Sequence, residues 1–153
     1  MLDRHDRQIL DALQKDGSLT NAQISDIVNL STSQCSRRRV ALEEAGFIKG
    51  YHARLDAKKL GFNIRVIVRI NLRMHSRDTD QNFSLWLDRQ PEVQSAFSVS
   101  GDADYVLDVR VSDLESYTAF VHERLLIQPN VAQVRSDFVL KTMKDSEVLD
   151  IAL

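Results

Sequence analysis

The sequence predicts an α+β protein in two parts, a helix-turn-helix followed by a ferredoxin-like β-α-β-β-α-β domain. Three observations predict it. Two helix-start signals of the capping-box form, Thr20-Asn21-Ala22-Gln23 and Ser31-Thr32-Ser33-Gln34, follow each other closely. The apolar spacing changes from helical to alternating at Ile64. A short polar turn, Gly101-Asp102-Ala103-Asp104, separates two alternating runs as a hairpin turn does.

Helix one is expected to start at Asp3 as its cap and to run to about Lys15, with Ile9, Leu10 and Leu13 inward and Gly17 as a left-handed stop. Helix two is expected over 21–28, stapled by Leu19 and Ile24, with Ile24, Ile27 and Val28 inward. A tight turn falls at Asn29. Helix three is expected over 32–45, stapled by Leu30 and Cys35 and ended by Gly46, with Cys35 and Leu42 on its inner face. Residues 47–53 alternate loosely and are read as a strand. Residues 56–63 are polar, contain Gly61, and are read as a linker. Three regions follow: 1–55, the linker 56–63, and 64–153.

In the second part, Ile64, Val66, Val68, Ile70 and Leu72 alternate with Arg65, Ile67, Arg69, Asn71 and Arg73, a strand with one buried face. Its basic face is either solvated or paired with acidic groups. A helix over 79–89 carries Phe83, Trp86 and Leu87 inward and stops at Pro91. Strands are expected over 93–100 and 105–111. Asp113 caps a helix with Tyr117, Phe120, Val121, Leu125 and Leu126 inward, and a last strand spans 131–140. That order is the split β-α-β motif. The residues after Lys144 carry no assignable pattern.

Composition narrows the function classes. Apolar residues make up 43% and charged residues 27%, ordinary for a soluble globular chain. No apolar run approaches the length of a membrane span, and the N-terminus is too polar for a signal peptide, so a cytoplasmic protein without membrane contact is expected. Cys35 is the single cysteine; it fits a reducing compartment and is read as a small core residue. Residues 1–60 carry ten Lys/Arg against eight Asp/Glu, and residues 61–153 ten against fourteen. A mildly basic first part beside an acidic second part suggests a division of labour. His5, His52, His75 and His122 have no metal spacing, no glycine-rich phosphate loop occurs, and no Ser-His-Asp set can be argued. No catalytic residue, metal or cofactor is expected.

The stretch Ser31-Thr32-Ser33-Gln34-Cys35-Ser36-Arg37-Arg38-Arg39 carries the chemistry of the first part. Small hydroxyl residues let a backbone approach phosphates, and Gln and Arg make bidentate contacts to base edges. Three arginines on a helix are also a common solvated face; the preceding short helix and tight turn favour a reading helix in a DNA groove. Ser31, Thr32, Ser33 and Lys49 are expected on phosphates. Gln34, Ser36, Arg37 and Arg38 are expected on bases or adjacent phosphates, with Arg39 beside them. In the second part, Asp102 and Asp104 either are simple turn residues or bind an ammonium group, with backbone N–H groups near Gly101 meeting a carboxylate.

These residues resemble the leucine-responsive regulator/AsnC family of prokaryotic transcription factors. The resemblance is carried by Leu2-Asp3 with Asp6, Ile9-Leu10, Leu30-Ser31, Arg38, Leu42-Glu43, Gly46-Phe47-Ile48-Lys49-Gly50-Tyr51 and Ser100-Gly101-Asp102-Ala103-Asp104-Tyr105. It implies a winged helix-turn-helix on an effector-sensing and oligomerising domain, and double-stranded DNA as partner. It also implies dimers that assemble into octamers, and a small effector, typically an amino acid, held near Gly101, Asp102, Ala103 and Asp104 where dimers meet. Three positions depart from the family pattern: Arg39 where an apolar residue is usual, Gln34 where Pro is frequent, and Ala103 where an aromatic residue is frequent. Arg39 implies either a rotated helix three or a side chain led outward along its stem. Two other readings share this architecture: an architectural DNA-wrapping protein without an effector, and an enzyme of the sirohaem decarboxylase kind. The latter has no use for an arginine-rich, hydroxyl-rich helix face.

Overall fold

The computed structural model describes residues 1–74 and 76–151. Contacts divide the chain into two compact units, Met1–Arg54 together with the tail from Lys144, and Leu55–Met143. The first unit holds α1 (Arg4–Lys15), α2 (Asn21–Val28) and α3 (Thr32–Glu44). Each begins with a reciprocal capping box: Asp3 with Asp6, Thr20 with Gln23, and Ser31 with Gln34. Each box satisfies two otherwise orphaned helix N–H groups. Asn29 ends α2 in the left-handed conformation (φ 54°), which Asn tolerates better than most residues and which makes the α2–α3 turn tight. Gly46 (φ 74°) ends α3, and Phe47 N–H donates back to the Leu42 carbonyl, closing the helix. Ile9, Leu13, Ile24, Val28, Cys35 and Leu42 form the core, with Leu2, Leu10, Leu19, Leu30 and Ile48 packed against it.

Four details of this unit differ from the sequence reading. Ile27 is 52% exposed, because Ile24 and Val28, one turn apart, already fill the inner face of a two-turn helix. α1 ends through an extended Asp16, and Gly17 is not left-handed. A side chain at Gly17 would crowd the Tyr51 ring, at 3.3 Å. No strand forms over residues 47–53. Ile48 packs on the core there, but no neighbouring strand supplies a ladder for the backbone. Finally, the tail from Lys144 belongs with this unit. Gln14 and Leu149 exchange two bonds: Nε2 donates to the Leu149 carbonyl at 2.7 Å, and Leu149 N–H donates to Oε1 at 2.9 Å. Arg54 donates to Asp145 at 2.6 Å.

The second unit begins with a helical turn rather than an open linker: Leu60 N–H donates to Asp56 O and Phe62 N–H to Ala57 O. β1 (Ile64–Leu72), α4 (Arg77–Leu87), β2 (Val93–Ser98), β3 (Tyr105–Val111), α5 (Leu114–Ala119), a π-helical segment (Phe120–Leu125) and β4 (Val131–Phe138) follow. The sheet is antiparallel in the order β2-β3-β1-β4, as the split β-α-β motif requires. Val66, Val68, Ile70 and Leu72 point to the helices and pack with Leu107, Val109, Phe83, Phe120 and Leu125. The π-helical segment replaces the expected regular helix. Its Leu126 N–H reaches back five residues to Val121 O, which shifts the following turn and leaves Leu126 42% exposed.

The other face of the sheet carries the basic residues of β1, and it is paired rather than merely solvated. Arg65 meets Asp108 at 2.6 Å and Arg69 meets Asp137 at 2.9 Å. Arg69 and Arg135 stand directly opposite across β1 and β4, a repulsive pairing that Asp137 and Asp102 offset.

Candidate DNA-reading helix and effector turn

The N-terminal turns of α3 present a run of small polar and basic side chains. Ser31, Thr32, Ser33 and Gln34 are exposed, Cys35 is buried, Ser36 is half-buried, and Lys49 is exposed beyond the helix. Part of this surface is committed to the cap. Gln34 Oε1 accepts from Ser31 N–H and Ser31 Oγ, both at 3.0 Å, which leaves its amide nitrogen without a partner among the described residues. Ser31 Oγ also lies 3.1 Å from Ser33 Oγ.

The three consecutive arginines point three ways. Arg37 is exposed and has no hydrogen-bond or ion-pair partner among the described residues. Arg38 Nη1 donates to Asp6 at 2.6 Å and to Asp3 at 2.7 Å, tying α3 to the start of α1. The Asp6 N–H, and then the Arg38 guanidinium, hold the Asp3 carboxyl below the usual carboxylate range. Arg39 Nη1 donates to Leu19 O at 3.0 Å, and its Nε lies 2.9 Å from Tyr51 Oη and 3.2 Å from Glu43. The guanidinium also lies 4.6 Å from the Tyr51 ring centroid. Thus α3 is not rotated, and Arg39 is not led outward. Beside Arg38, burial pushes the Cys35 thiol up, as suits a core residue.

Gly101-Asp102-Ala103-Asp104 forms the turn between β2 and β3, where the sequence places it. Asp104 closes it: its N–H donates to Ile70 O at 2.9 Å, its carbonyl accepts from Val99 N–H at 3.1 Å, and its carboxylate accepts from Leu72 N–H at 2.7 Å. Ala103 is buried. Asp102 lies outermost. Its carbonyl accepts from Asn71 Nδ2 at 2.8 Å, and its carboxylate from Arg135 at 2.9 Å. The Arg135 guanidinium holds the Asp102 carboxyl below the usual range. Arg69, Asn71 and Arg135 were not singled out from the sequence as turn partners. Their signal was only alternation on β1 and β4, because pairing across strands is invisible until the register is known.

Among the described residues, no His, Cys, Asp and Glu group is arranged to hold a metal ion; His75 lies outside them. No helix among them is long and apolar enough to cross a membrane.

Residues 2–49 match a winged helix-turn-helix DNA-binding family, and residues 65–149 match the Lrp/AsnC ligand binding domain. The chain belongs to the Lrp/AsnC family. It is 39% identical over 150 residues to the leucine-responsive regulatory proteins of Salmonella typhimurium strain LT2 and Escherichia coli strain K12. Each match covers 98% of this chain and 92% of the relative. Its fold matches an AsnC family transcriptional regulator from Agrobacterium tumefaciens with a TM-score of 0.93 at 36% identity, over 99% of this chain and 98% of that one. It also matches a transcriptional regulator from Neisseria meningitidis solved with L-Met, again with a TM-score of 0.93, at 35% identity over 97% and 96% of the two chains. This Lrp/AsnC protein is therefore a DNA-binding transcriptional regulator with an effector-binding domain, and not an enzyme.

Proposed function

We propose that this Lrp/AsnC regulator reads its operator with the exposed N-terminal turns of α3, and that a free amino acid bound near Gly101–Asp104 modulates that binding. The observation that carries the DNA assignment is the exposed Arg37, without a partner among the described residues, beside the amide nitrogen of Gln34 and the hydroxyl of Ser36. Together they offer bidentate and single donors to base edges. Ser31, Thr32 and Ser33 lie at the capped end of α3, Lys49 lies past its other end, and all four are exposed and are assigned to phosphates. Arg38 is assigned to holding α1 against α3 through Asp3 and Asp6 rather than to a base.

The relative solved with L-Met supports an amino acid as effector. In this chain Asp102 offers a carboxylate to an ammonium group, and Arg135 beside it offers a guanidinium to a carboxylate. The protein acts in the cytoplasm as a homo-oligomer, with two-fold pairs assembled further into octamers. Paired reading helices then face one side of the duplex, so the operator is roughly palindromic.

Fluorescence anisotropy on the duplex upstream of its own coding sequence, against a scrambled duplex across a salt series, tests the DNA assignment. Tight binding to the native duplex, weakening by about 0.9 log units per phosphate neutralised, supports it. Equal binding to both duplexes favours an architectural DNA-wrapping protein instead.

A further inference from the structure

Arg39 stands where a helix face meets two other segments of the first unit, and none of its observed bonds runs outward. Its side chain is 20% exposed. Nη1 reaches the Leu19 carbonyl, in the loop that leads into the Thr20 cap of α2. Nε reaches Tyr51 Oη and Glu43 Oε1, while Tyr51 Oη donates to the same Glu43 oxygen at 2.8 Å. The guanidinium lies over the Tyr51 ring. One planar cation thus joins the α1–α2 loop, α3 and the segment after α3.

This geometry suits Arg and no other residue. A guanidinium presents donors in a fixed plane and stacks on an aromatic face while doing so. A lysine ammonium is a single point charge and cannot reach a carbonyl, a phenol and a carboxylate while lying flat on a ring. The segment after α3 has no strand partner; Phe47 and Ile48 hold its start to Leu42 and the core, and Tyr51 tethers it to α3 farther along. Gly17 permits the tether from the other side, since its missing side chain leaves room for the Tyr51 ring.

We infer that Arg39, through Tyr51, Glu43 and the Leu19 carbonyl, is a positioning residue for DNA recognition: it sets the Lys49–Tyr51 segment and the α2 entry against α3, and does not itself touch DNA. This rests on the assignment of α3 as the reading helix. It divides the arginine triplet by role, with Arg37 on DNA and Arg39 behind it.

Anisotropy titrations of the full chain and of the R39A, R39K and Y51F variants, on the upstream and scrambled duplexes across a salt series, test this. The positioning role predicts binding to the upstream duplex about tenfold weaker in R39A, with R39K nearly as weak. Y51F shifts in the same direction, and any fall in the slope of log affinity against log salt, through a loosened Lys49, is shared by R39A, R39K and Y51F and is not restored in R39K. A slope reduced by about 0.9 in R39A with R39K close to the unmutated chain would make Arg39 a phosphate contact and overturn the inference. Unaltered affinity in R39A overturns it as well. Thermal melts of the same variants, with the R39A/Y51F double variant, report the clamp apart from DNA; additive losses show that the two residues do not act together, which also overturns it. If the unmutated chain binds neither duplex, the assignment of α3 has failed instead, and the melts alone judge the clamp.

Discussion

Arg37, Arg38 and Arg39 are consecutive, yet each has a different environment, and each substitution has a different signature. Arg37→Ala is expected to weaken operator binding by about 1–3 kcal/mol if its guanidinium meets a base edge, and to relax preference at one position of the site. Anisotropy against single-base operator variants checks this; equal losses on every sequence would place Arg37 on a phosphate. Arg38→Ala removes both ion pairs to the start of α1. Its expected effect is on stability, a melting temperature lower by about 5 °C, with the salt slope of DNA binding intact. A reduced slope and an unmoved melt would return Arg38 to the DNA surface. The sequence made the triplet legible as a basic helix face but did not separate its members. Helical spacing says which side chains share a face; which of them find partners depends on where Asp3, Asp6, Leu19 and Tyr51 arrive in space. The turn was legible for the same reason in reverse. Asp102 and Asp104 stand two apart in sequence, while Arg135, which Asp102 meets, lies on β4.

Among the elements, caps and periods were the readable signals. All three capping boxes or caps of the first unit and the alternation of β1 fixed their elements within a residue or two. Misplaced side chains came from short or irregular segments: Ile27 on a two-turn helix, and Leu126 beyond a π-helical segment whose wider turn no periodicity announces. The tail was unreadable because its structure depends on distant side chains of the first unit, Gln14 and Arg54, and not on its own pattern. Two predictions belong at this scale. Asp3 caps α1 and Asp113 caps α5, and the N–H groups of Asp6 and Ser116 hold these carboxyls below their usual range. A depressed folded pKa gives stability that is present above the unfolded value and lost as pH falls through the folded one. The urea midpoint should therefore be level from about pH 7 to pH 5 and fall below about pH 4, less steeply in Asp113→Asn, which still caps but does not titrate. An identical fall in that variant would remove Asp113 from the cause. Deleting residues 145–153 should destabilise the first unit, by about 0.5–1.5 kcal/mol for each of the two Gln14–Leu149 bonds lost. Gln14→Ala in the full chain should reproduce most of that loss and add little to the deletion; additive losses would show the tail held by something else.

At the scale of the whole molecule, the two units have separate cores of unequal size. Among the described residues, the first has six buried apolar residues at its centre and the second fourteen, including Phe83, Tyr117 and Phe120. A smaller core leaves a smaller margin over chain entropy, so the first unit should unfold at the lower temperature. Calorimetry of the chain should then resolve two transitions rather than one two-state event. A ligand that binds only the folded form of one unit raises only that unit's transition, by about 2.7 kcal/mol at a hundredfold excess over its Kd. The proposed roles therefore predict a crossed pattern. The upstream duplex should raise the lower transition and leave the upper one in place. An effector amino acid, tested first with methionine and leucine, should raise the upper transition in the absence of DNA, and Asp102→Ala should abolish that rise while leaving the duplex effect intact. An amino acid that raised the lower transition instead would move the effector site off the Gly101–Asp104 turn. A rise that survived Asp102→Ala would keep the domain assignment and remove Asp102 from the site. Coupling between sites then has a direct reading: with both ligands present, the amino acid should alter the duplex affinity and the duplex the amino-acid affinity by the same factor, as linkage requires.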